Sequence, residues 1–426
     1  MYEVNSNERE RAVLVALSRN NKQWETEEHL EELTFLADTA GAEVVDKLIQ
    51  EKEKIDPAYF IGRGKAEMLS NFVHEQDIDV VIFDDDLSPA QARNLEKLTD
   101  RKVLDRSGLI LDIFARRAKT KEARTQVELA QLNYLLPRLT RQWTHLSRQV
   151  GGIGTRGPGE TQLEVDRRMI RNRIDALSRQ LQKIKKQREV RRQNREITYK
   201  VALVGYTNAG KSTLLNALTN ADVFVENRLF ATLDATIRRM QNSNQRDILL
   251  IDTVGFIRKL PHHLVASFMS TLEEARVADL LLHVVDVSHP QLPEQLAVVN
   301  DVLNQLQISD KPILYAFNKI DQLEYKGLVS RLKNRYQPSV FISATKGLFL
   351  EDLKKEIENF ASENILEMEV QVSLQRPELI PQIYRLAEVL DINYNQSQAE
   401  IKLRTSKENK AKIQHLISEN NGPGSE

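Results

Sequence analysis

A short apolar run that leads into a glycine-rich loop and then a helix constrains this chain more than any other feature. Residues 205–212 read GYTNAGKS and fit the pattern G-x-x-x-x-G-K-[ST]. The apolar residues 201–204 before the loop predict a strand, and residues 213–218 after it predict a helix. Such a loop curls until successive backbone N–H groups point at phosphate groups. The sequence therefore predicts a site for a nucleoside triphosphate.

The residue types in this loop fit the chemistry of phosphate binding. The glycines let the backbone curl, the Lys211 ammonium group reaches the outer phosphates, and the Ser212 hydroxyl can hold Mg²⁺. The residues of this segment that we predict to contact the nucleotide are Gly205, Asn208, Ala209, Gly210, Lys211, Ser212 and Thr213.

A second motif is expected to contact the metal ion and the γ-phosphate. Residues 247–255 read DILLIDTVG, which predicts a buried strand that ends in D-x-x-G. Asp252 is expected to meet Mg²⁺ through a water molecule, and the backbone N–H of Gly255 is expected to reach the γ-phosphate. This pattern indicates a GTPase.

Two further motifs predict the recognition of guanine. An apolar strand at residues 312–317 leads into N-K-x-D, which consists of Asn318, Lys319 and Asp321. The Asp321 carboxylate can accept two hydrogen bonds from guanine that adenine cannot donate, so guanine should be strongly preferred. A later strand ends in Ser343 and Ala344, where a backbone N–H could contact the guanine O6. Four such motifs in this order, each at the carboxyl end of a strand, predict a guanine nucleotide site.

The loop between the first two motifs should order around bound GTP. A threonine in it must close on Mg²⁺ and the γ-phosphate, and relax after hydrolysis. We predict that Thr232 is this residue, and Thr236 is the alternative. Whichever of the two does not bind Mg²⁺ would be an ordinary solvated threonine of the loop. Phe230 of the same loop is predicted to contact the nucleotide.

The catalytic residue is not evident from the sequence. Many GTPases place a glutamine after D-x-x-G to orient the attacking water, but Phe256 stands there. Because phenylalanine cannot form this hydrogen bond, intrinsic hydrolysis should be slow. A partner could supply the missing group. Alternatively, Asn208 could help to hold a monovalent cation such as K⁺, or it could be a plain turn asparagine.

Composition limits the other possibilities. The chain has 426 residues, 41% of them hydrophobic, so it can bury several cores. It has no cysteine, which excludes disulfides and thiolate chemistry. No apolar stretch is long enough to span a membrane, and the polar, acidic N-terminus does not resemble an export signal. We therefore expect a cytoplasmic protein.

The remaining sequence predicts three further domains around a GTPase domain at residues 197–361. Alternating strand and helix patterns at residues 1–116 predict an N-terminal α/β domain with a mainly parallel sheet. Within it, residues 61–65 read IGRGK, which we interpret as a structural turn rather than an anion site. Residues 362–426 predict a small C-terminal α/β domain with a helix from Leu379 to Leu390 and a disordered tail from residue 420.

The region at residues 117–196 predicts an antiparallel helical hairpin. Apolar residues recur at spacings of three and four in two arms, and the first arm should kink at Pro137. A glycine-rich connection, residues 149–160, should form the tip. The second arm is strongly basic, which favours a polyphosphate partner over a merely solvated face. The candidate RNA contacts are Arg156, Arg167, Arg168 and Arg171.

These residues together resemble the HflX family of ribosome-associated GTPases, which are related to the Obg proteins. The specific segments are GGIGTRGPGE at residues 151–160 and LFATLD at residues 229–234. The resemblance implies GTP and GDP binding, with Mg²⁺ held by Ser212 and Thr232. It also implies association with the large ribosomal subunit and its RNA, and splitting or rescue of ribosomes under stress. One departure is Ala235, where the family pattern has proline.

Two functional hypotheses follow. The first is a GTP-dependent factor that acts as a monomer on the large ribosomal subunit. The alternative is a regulatory GTPase that acts through protein partners and uses the hairpin for dimerisation. An RNA-modifying GTPase would need a nucleophile or cofactor motif, and none occurs outside the GTPase domain.

Overall fold

The chain divides into two compact units. The computed structural model describes residues 9–19, 23–139, 162–192, 198–219, 229–230, 232–233, 235–240, 248–259, 274–323, 327–363 and 365–418. The first unit combines Met1–Lys183 with Glu226–Asp234 and Ile257–Thr271, and the second combines Ile184–Val225 with Ala235–Phe256 and Leu272–Glu426. The described residues of the loop around Thr232, and residues 257–259, therefore group with the N-terminal part of the chain. The domain boundaries expected from the sequence stay predictions.

A four-stranded parallel sheet forms the centre of the first unit. Its strands are β1 (Glu10–Ser18), β2 (Ala42–Glu51), β3 (Val80–Phe83) and β4 (Lys102–Asp105), in the order β2-β1-β3-β4. The helices are α1 (Gln23–Ala40), α2 (Arg63–Glu75), α3 (Pro89–Thr99) and α4 (Arg106–Arg117). α1 packs against β1, β2 and α4, whereas α2 packs against α3. The mainly parallel α/β fold expected here is confirmed.

Two helix starts in this unit are marked by hydrogen bonds at the residue before the helix. At α3, the Ser88 hydroxyl accepts a hydrogen bond from the Gln91 N–H, the Gln91 side chain accepts one from the Ser88 N–H, and Pro89 occupies the first turn. At α2, Gly62 is the residue before the helix, and its N–H donates to the side chain of Gln50. The IGRGK segment therefore forms the start of a helix.

The helices α5 (Lys121–Leu135) and α6 (Gln162–Arg192) run antiparallel. Arg173 contacts Glu128 at 2.7 Å, and Gln180 contacts Thr125 at 3.5 Å, so later residues of α6 meet earlier residues of α5. α5 ends at Leu135 and passes into a 3₁₀ turn that contains Pro137, because proline disrupts a continuing helix. The glycine-rich connection, with Arg156, lies outside the described residues.

A six-stranded sheet forms the larger part of the second unit. Its strands are β5 (Tyr199–Val204), β6 (Thr236–Met240), β7 (Ile248–Asp252), β8 (Leu280–Asp286), β9 (Ile313–Asn318) and β10 (Ser339–Phe341), in the order β10-β9-β8-β5-β7-β6. Only β6 is antiparallel to its neighbour. The helices are α7 (Lys211–Thr219), α8 (Leu292–Gln305), α9 (Gly327–Arg335) and α10 (Leu350–Glu363).

This sheet is covered on both faces. Leucines of α7 and α10 share one apolar cluster with Val201 and Leu203 of β5, and leucines of α8 and α9 share another with Phe317 of β9. In a parallel sheet covered in this way, the loops at the carboxyl ends of the strands form the natural ligand site. The motifs predicted from the sequence lie at those ends.

The C-terminal part of the second unit is a small α/β arrangement. β11 (Ile365–Ser373), β12 (Glu388–Tyr394) and β13 (Gln398–Ser406) form an antiparallel sheet in the order β11-β13-β12. α11 (Leu379–Leu386) and α12 (Lys407–Ser418) pack on it through Ile383 and Ile413.

The helix predicted from Leu379 to Leu390 was wrong at its end. It ends at Leu386, and β12 begins at Glu388. The register of β12 shifts between Val389 and Asp391, so the partly buried Val389 and Ile392 stand three residues apart. A spacing of three between apolar residues is typical of a helix, but here a β-bulge in a strand produces it. No helix among the described residues is long and apolar enough to cross a membrane.

Candidate nucleotide site

The glycine-rich loop between β5 and α7 has the backbone that the sequence motif requires. Gly205 and Gly210 have φ angles of +151° and +93°, which residues other than glycine rarely adopt. A Cβ atom at Gly205 would lie 2.2 Å from the carbonyl oxygen of Val284, and one at Gly210 would lie 2.3 Å from Nδ2 of Asn318. Any side chain at either position would therefore displace a neighbouring strand end or Asn318.

Lys211 is buried at the start of α7. Its Nζ donates to the carbonyl oxygens of Gly205 at 3.1 Å and Tyr206 at 2.7 Å. Burial lowers the pKa of Lys211 to about 8, and the nearby Asp252 carboxylate partly opposes this shift. The ammonium group thus lies under the loop with carbonyl oxygens as its partners, and a phosphate could replace them as a stronger partner.

Ser212 and Asp252 provide oxygen atoms suited to a magnesium ion. The Ser212 hydroxyl donates to Oδ2 of Asp252 at 2.6 Å, and Asp252 is fully buried at the end of β7. Hydroxyl and carboxylate oxygens are the ligands that Mg²⁺ prefers, so the residues present fit this ion.

Thr232 and Phe230 belong to the first unit, where Phe230 is buried with its ring centroid 4.6 Å from that of Phe114.

Phe256 pairs with the phosphate-binding loop through its backbone. Its N–H donates to the carbonyl oxygen of Gly205 at 3.0 Å, and its carbonyl oxygen accepts from the N–H of Thr207 at 2.7 Å. Its side chain is 1% exposed. The residue after D-x-x-G is therefore anchored by apolar burial and offers no side-chain hydrogen bond to a water molecule.

Asn318 links the guanine-recognition motifs to the phosphate-binding loop. Its side-chain amide donates to the carbonyl oxygen of Ala209 at 2.9 Å, and its side-chain oxygen accepts from the N–H of Ala344 at 2.9 Å. The Lys319 ammonium pairs with Asp286 at 2.6 Å. Asp321 lies in the 3₁₀ turn Ile320–Gln322 that follows β9, and Ser343 is fully buried. Three loops from distant parts of the chain thus meet at one side chain.

Comparisons with known proteins agree with this geometry. Family models match three successive segments: GTP-binding GTPase N-terminal over residues 27–115, GTP-binding GTPase Middle Region over residues 117–195, and 50S ribosome-binding GTPase over residues 200–319. GTPase HflX of Caldanaerobacter subterraneus is 52% identical over 353 residues, which are 82% of this chain and 80% of that protein. GTPase HflX of Flavobacterium psychrophilum is 48% identical over 370 residues, which are 82% and 89%.

The chain belongs to the HflX family of GTPases. The resemblance inferred from the sequence is thereby confirmed, and the chain binds and hydrolyses GTP. A crystallised GTP-binding protein from Sulfolobus solfataricus, solved in complex with GDP, is also similar to it. That protein is 29% identical with a TM-score of 0.45, and the match covers 83% of this chain and 99% of that one.

The candidate RNA contacts of this HflX-family chain have different surroundings. Arg168 and Arg171 are exposed on α6. Arg167 is partly buried and donates to the carbonyl oxygen of Leu139 at 3.0 Å, so it also joins α6 to the end of the preceding segment. Arg156 lies outside the described residues.

One ionic cluster of the first unit was missed by the sequence reasoning. Lys259, four residues after Gly255, pairs with Asp84 at 2.7 Å and with Asp85 at 2.6 Å. The buried Arg106 also pairs with Asp84, at 2.7 Å, and with Glu32. The acidic run at the end of β3 was visible in the sequence, but no local signal identified partners almost two hundred residues away.

Another residue missed by the sequence reasoning is His283, at the centre of β8. Its side chain is 1% exposed, and its ring centroid lies 5.4 Å from that of Tyr315. Burial, reinforced by the positive charge of Lys211, lowers the pKa of His283 to about 3. This histidine is therefore neutral at pH 7 and contributes no charge beneath the phosphate-binding loop.

The depressed pKa of His283 predicts a specific loss of stability in acid. The unfolded chain takes up this proton below its ordinary pKa of about 6.5, whereas the folded chain resists protonation down to about pH 3. The folded state should therefore lose about 2 kcal/mol at pH 5 from this group alone. His283→Asn, which cannot titrate, should gain about that much relative to the wild type between pH 7 and pH 5 in urea unfolding. An unchanged difference between the two proteins would contradict the shifted pKa.

Proposed function

We propose that this HflX-family GTPase is a GTP-dependent factor that binds the large ribosomal subunit and splits or rescues ribosomes under stress. The observation that carries the proposal is the basic surface of α6. Its exposed side chains include Arg168, Arg171, Arg179, Lys183, Lys185 and Lys186. A helix with this excess of positive charge fits a polyphosphate partner, and ribosomal RNA is the partner that the family description 50S ribosome-binding GTPase suggests.

Within the nucleotide site, the residues present suggest a division of roles. Lys211 and the loop N–H groups bind the phosphates, and Asp321 reads the guanine base. Ser212, Thr232 and Asp252, the last through water, would hold Mg²⁺, which neutralises charge on the phosphates when it is bound. The order of events we propose is that GTP orders the segment around Thr232, the ordered protein binds the subunit, and hydrolysis releases it. We further propose a cytoplasmic monomer.

Sedimentation with purified large ribosomal subunits tests this function. The protein should sediment with subunits in the presence of a non-hydrolysable GTP analogue and remain in the supernatant with GDP. If the protein contacts six to ten phosphates, raising the salt concentration from 50 to 200 mM should weaken binding about 10³–10⁵-fold. Equal binding with GDP, with the analogue and without nucleotide would refute the proposal. A weak salt dependence would favour a regulatory GTPase that acts through protein partners.

A matched pair of variants tests the role of α6. Arg168→Gln with Arg171→Gln should lower the slope of the logarithm of affinity against the logarithm of salt concentration by about two. Arg93→Gln with Lys97→Gln removes the same charge from exposed positions on α3 and should leave the slope unchanged. A slope that does not respond to the α6 changes would remove these residues from the interface.

The absence of a catalytic glutamine leads to a prediction about monovalent cations. Asn208 is exposed at φ +60°, in the loop that should surround the phosphates. If its side chain helps to hold K⁺, replacing Na⁺ with K⁺ should raise the hydrolysis rate at least about tenfold, a small part of the 10³–10⁵ that an arginine finger can supply. Asn208→Ala should lose this difference, measured as the ratio of the hydrolysis rates in K⁺ and Na⁺ at saturating GTP. Equal rates in both cations would leave Asn208 as a turn residue.

A further inference from the structure

The outer face of α1 carries two large aromatic side chains that are mostly exposed in the part of the chain that the structure describes. Trp24 is 57% exposed and Phe35 is 62% exposed. The opposite face of the helix buries Leu30, Leu33 and Leu36. The helix is therefore already anchored to its own unit without these two aromatic rings.

The two rings lie on one stripe of the helix. They stand eleven positions apart, which is close to three turns, so they point in nearly the same direction and lie about 16 Å apart along the axis. Glu31 lies between them on the same stripe, and its side chain is 64% exposed. Single exposed apolar residues are common on protein surfaces. Aromatic anchors in register on one helix face are the pattern by which helices fit into grooves of other proteins.

The charge around these rings indicates the kind of partner. α1 contains six carboxylates and no lysine or arginine. Lys47 pairs with Glu31 and Arg9 pairs with Asp38, while Glu27 accepts a hydrogen bond from the Gln23 amide. RNA is disfavoured here because its phosphates would face carboxylates. A second copy of the chain, packed through the same face, would bring carboxylates against carboxylates.

We propose that Trp24 and Phe35 of α1 dock into apolar pockets on a positively charged protein surface. This inference rests on the proposed function, because it places that surface on a protein of the large ribosomal subunit. The face is thus chemically distinct from α6, whose positive charge suits RNA. The chain would then contact the large subunit through two surfaces. α6 would bind the phosphates of RNA, and α1 would bind a ribosomal protein.

A photocrosslinking experiment identifies the class of partner. A benzophenone amino acid is placed at position 35 of the full chain, and the protein is irradiated with purified large subunits and the GTP analogue. The matched control carries it at position 68, because Met68 is 61% exposed on α2. Position 35 should give an adduct that protease removes and ribonuclease does not, and position 68 should give none. An adduct lost to ribonuclease, or one that joins two copies of the chain, would overturn the inference.

Two further outcomes separate this inference from the proposed function. If the wild-type chain sediments with subunits but position 35 gives no adduct, the α1 surface is refuted and the proposed function stands. If the wild-type chain does not sediment with subunits at all, both are refuted. As a second readout, Trp24→Ser with Phe35→Ser should weaken subunit binding at least tenfold while GTP affinity and Tm stay unchanged. Met68→Ser should change none of the three quantities.

Discussion

Replacing Lys211 with alanine should lower GTP affinity by about 10²–10⁴-fold. Hydrogen bonds to a charged group contribute about 1.5–3 kcal/mol each. If Lys211 bridges two phosphates, its replacement by alanine removes two such bonds, or about 3–6 kcal/mol of binding free energy. Isothermal titration calorimetry with GTP measures the change. Burial lowers the pKa of Lys211 to about 8, so the buried ammonium carries a desolvation cost, although its removal also takes a positive charge away from the buried Asp252 carboxylate.

The control for this prediction is Lys333→Ala. Lys333 is exposed on α9, so its replacement removes the same charge from the same unit and should leave GTP affinity unaltered. GTP affinity in Lys211→Ala that equals that of the wild type would show that this loop does not bind the phosphates.

Asp321→Asn should change the base that the site accepts. The carboxylate is expected to accept two hydrogen bonds from guanine, and an asparagine amide would instead present a donor toward donors. Guanine affinity should fall by about 10²–10⁴-fold, while xanthine, which carries an oxygen in place of the amino group, should become the better ligand. Competition between GTP and XTP for a fluorescent nucleotide measures both effects.

Asp310→Asn is the matched change for Asp321. Asp310 is an exposed carboxylate in the same unit, at the loop before β9. Its replacement should keep the preference for guanine. If Asp321→Asn also kept that preference, base recognition would have to come from another group.

The sequence predicted the parts of the site that depend on local chain geometry. A strand, a glycine-rich loop and a helix start are consecutive, so their pattern specifies the backbone of residues 205–212 directly. The capping box at Ser88 is local in the same sense, because the two residues that form it stand three positions apart. The family could also be inferred, since its distinctive segments are short and contiguous.

Contacts between distant residues could not be predicted in this way. The Asn318 amide meets Ala209 across 109 positions of the chain, and Lys259 meets Asp84 across 175. The buried position of His283 also depends on the strands beside it, which periodicity does not specify. At β12 the local pattern itself was misleading, because a bulge gave a strand the spacing of a helix.

The bridge that Asn318 makes has a consequence for how fast a nucleotide can enter. The loops for the base and for the phosphates are joined through protein atoms alone, so their shape does not depend on the ligand to hold them together. Nucleotide entry should then cost little ordering entropy in these two loops, in contrast to the segment around Thr232 that GTP is proposed to order. Association with guanine nucleotides should be limited by diffusion and docking orientation, and differences in affinity among them should come mainly from how slowly each one leaves.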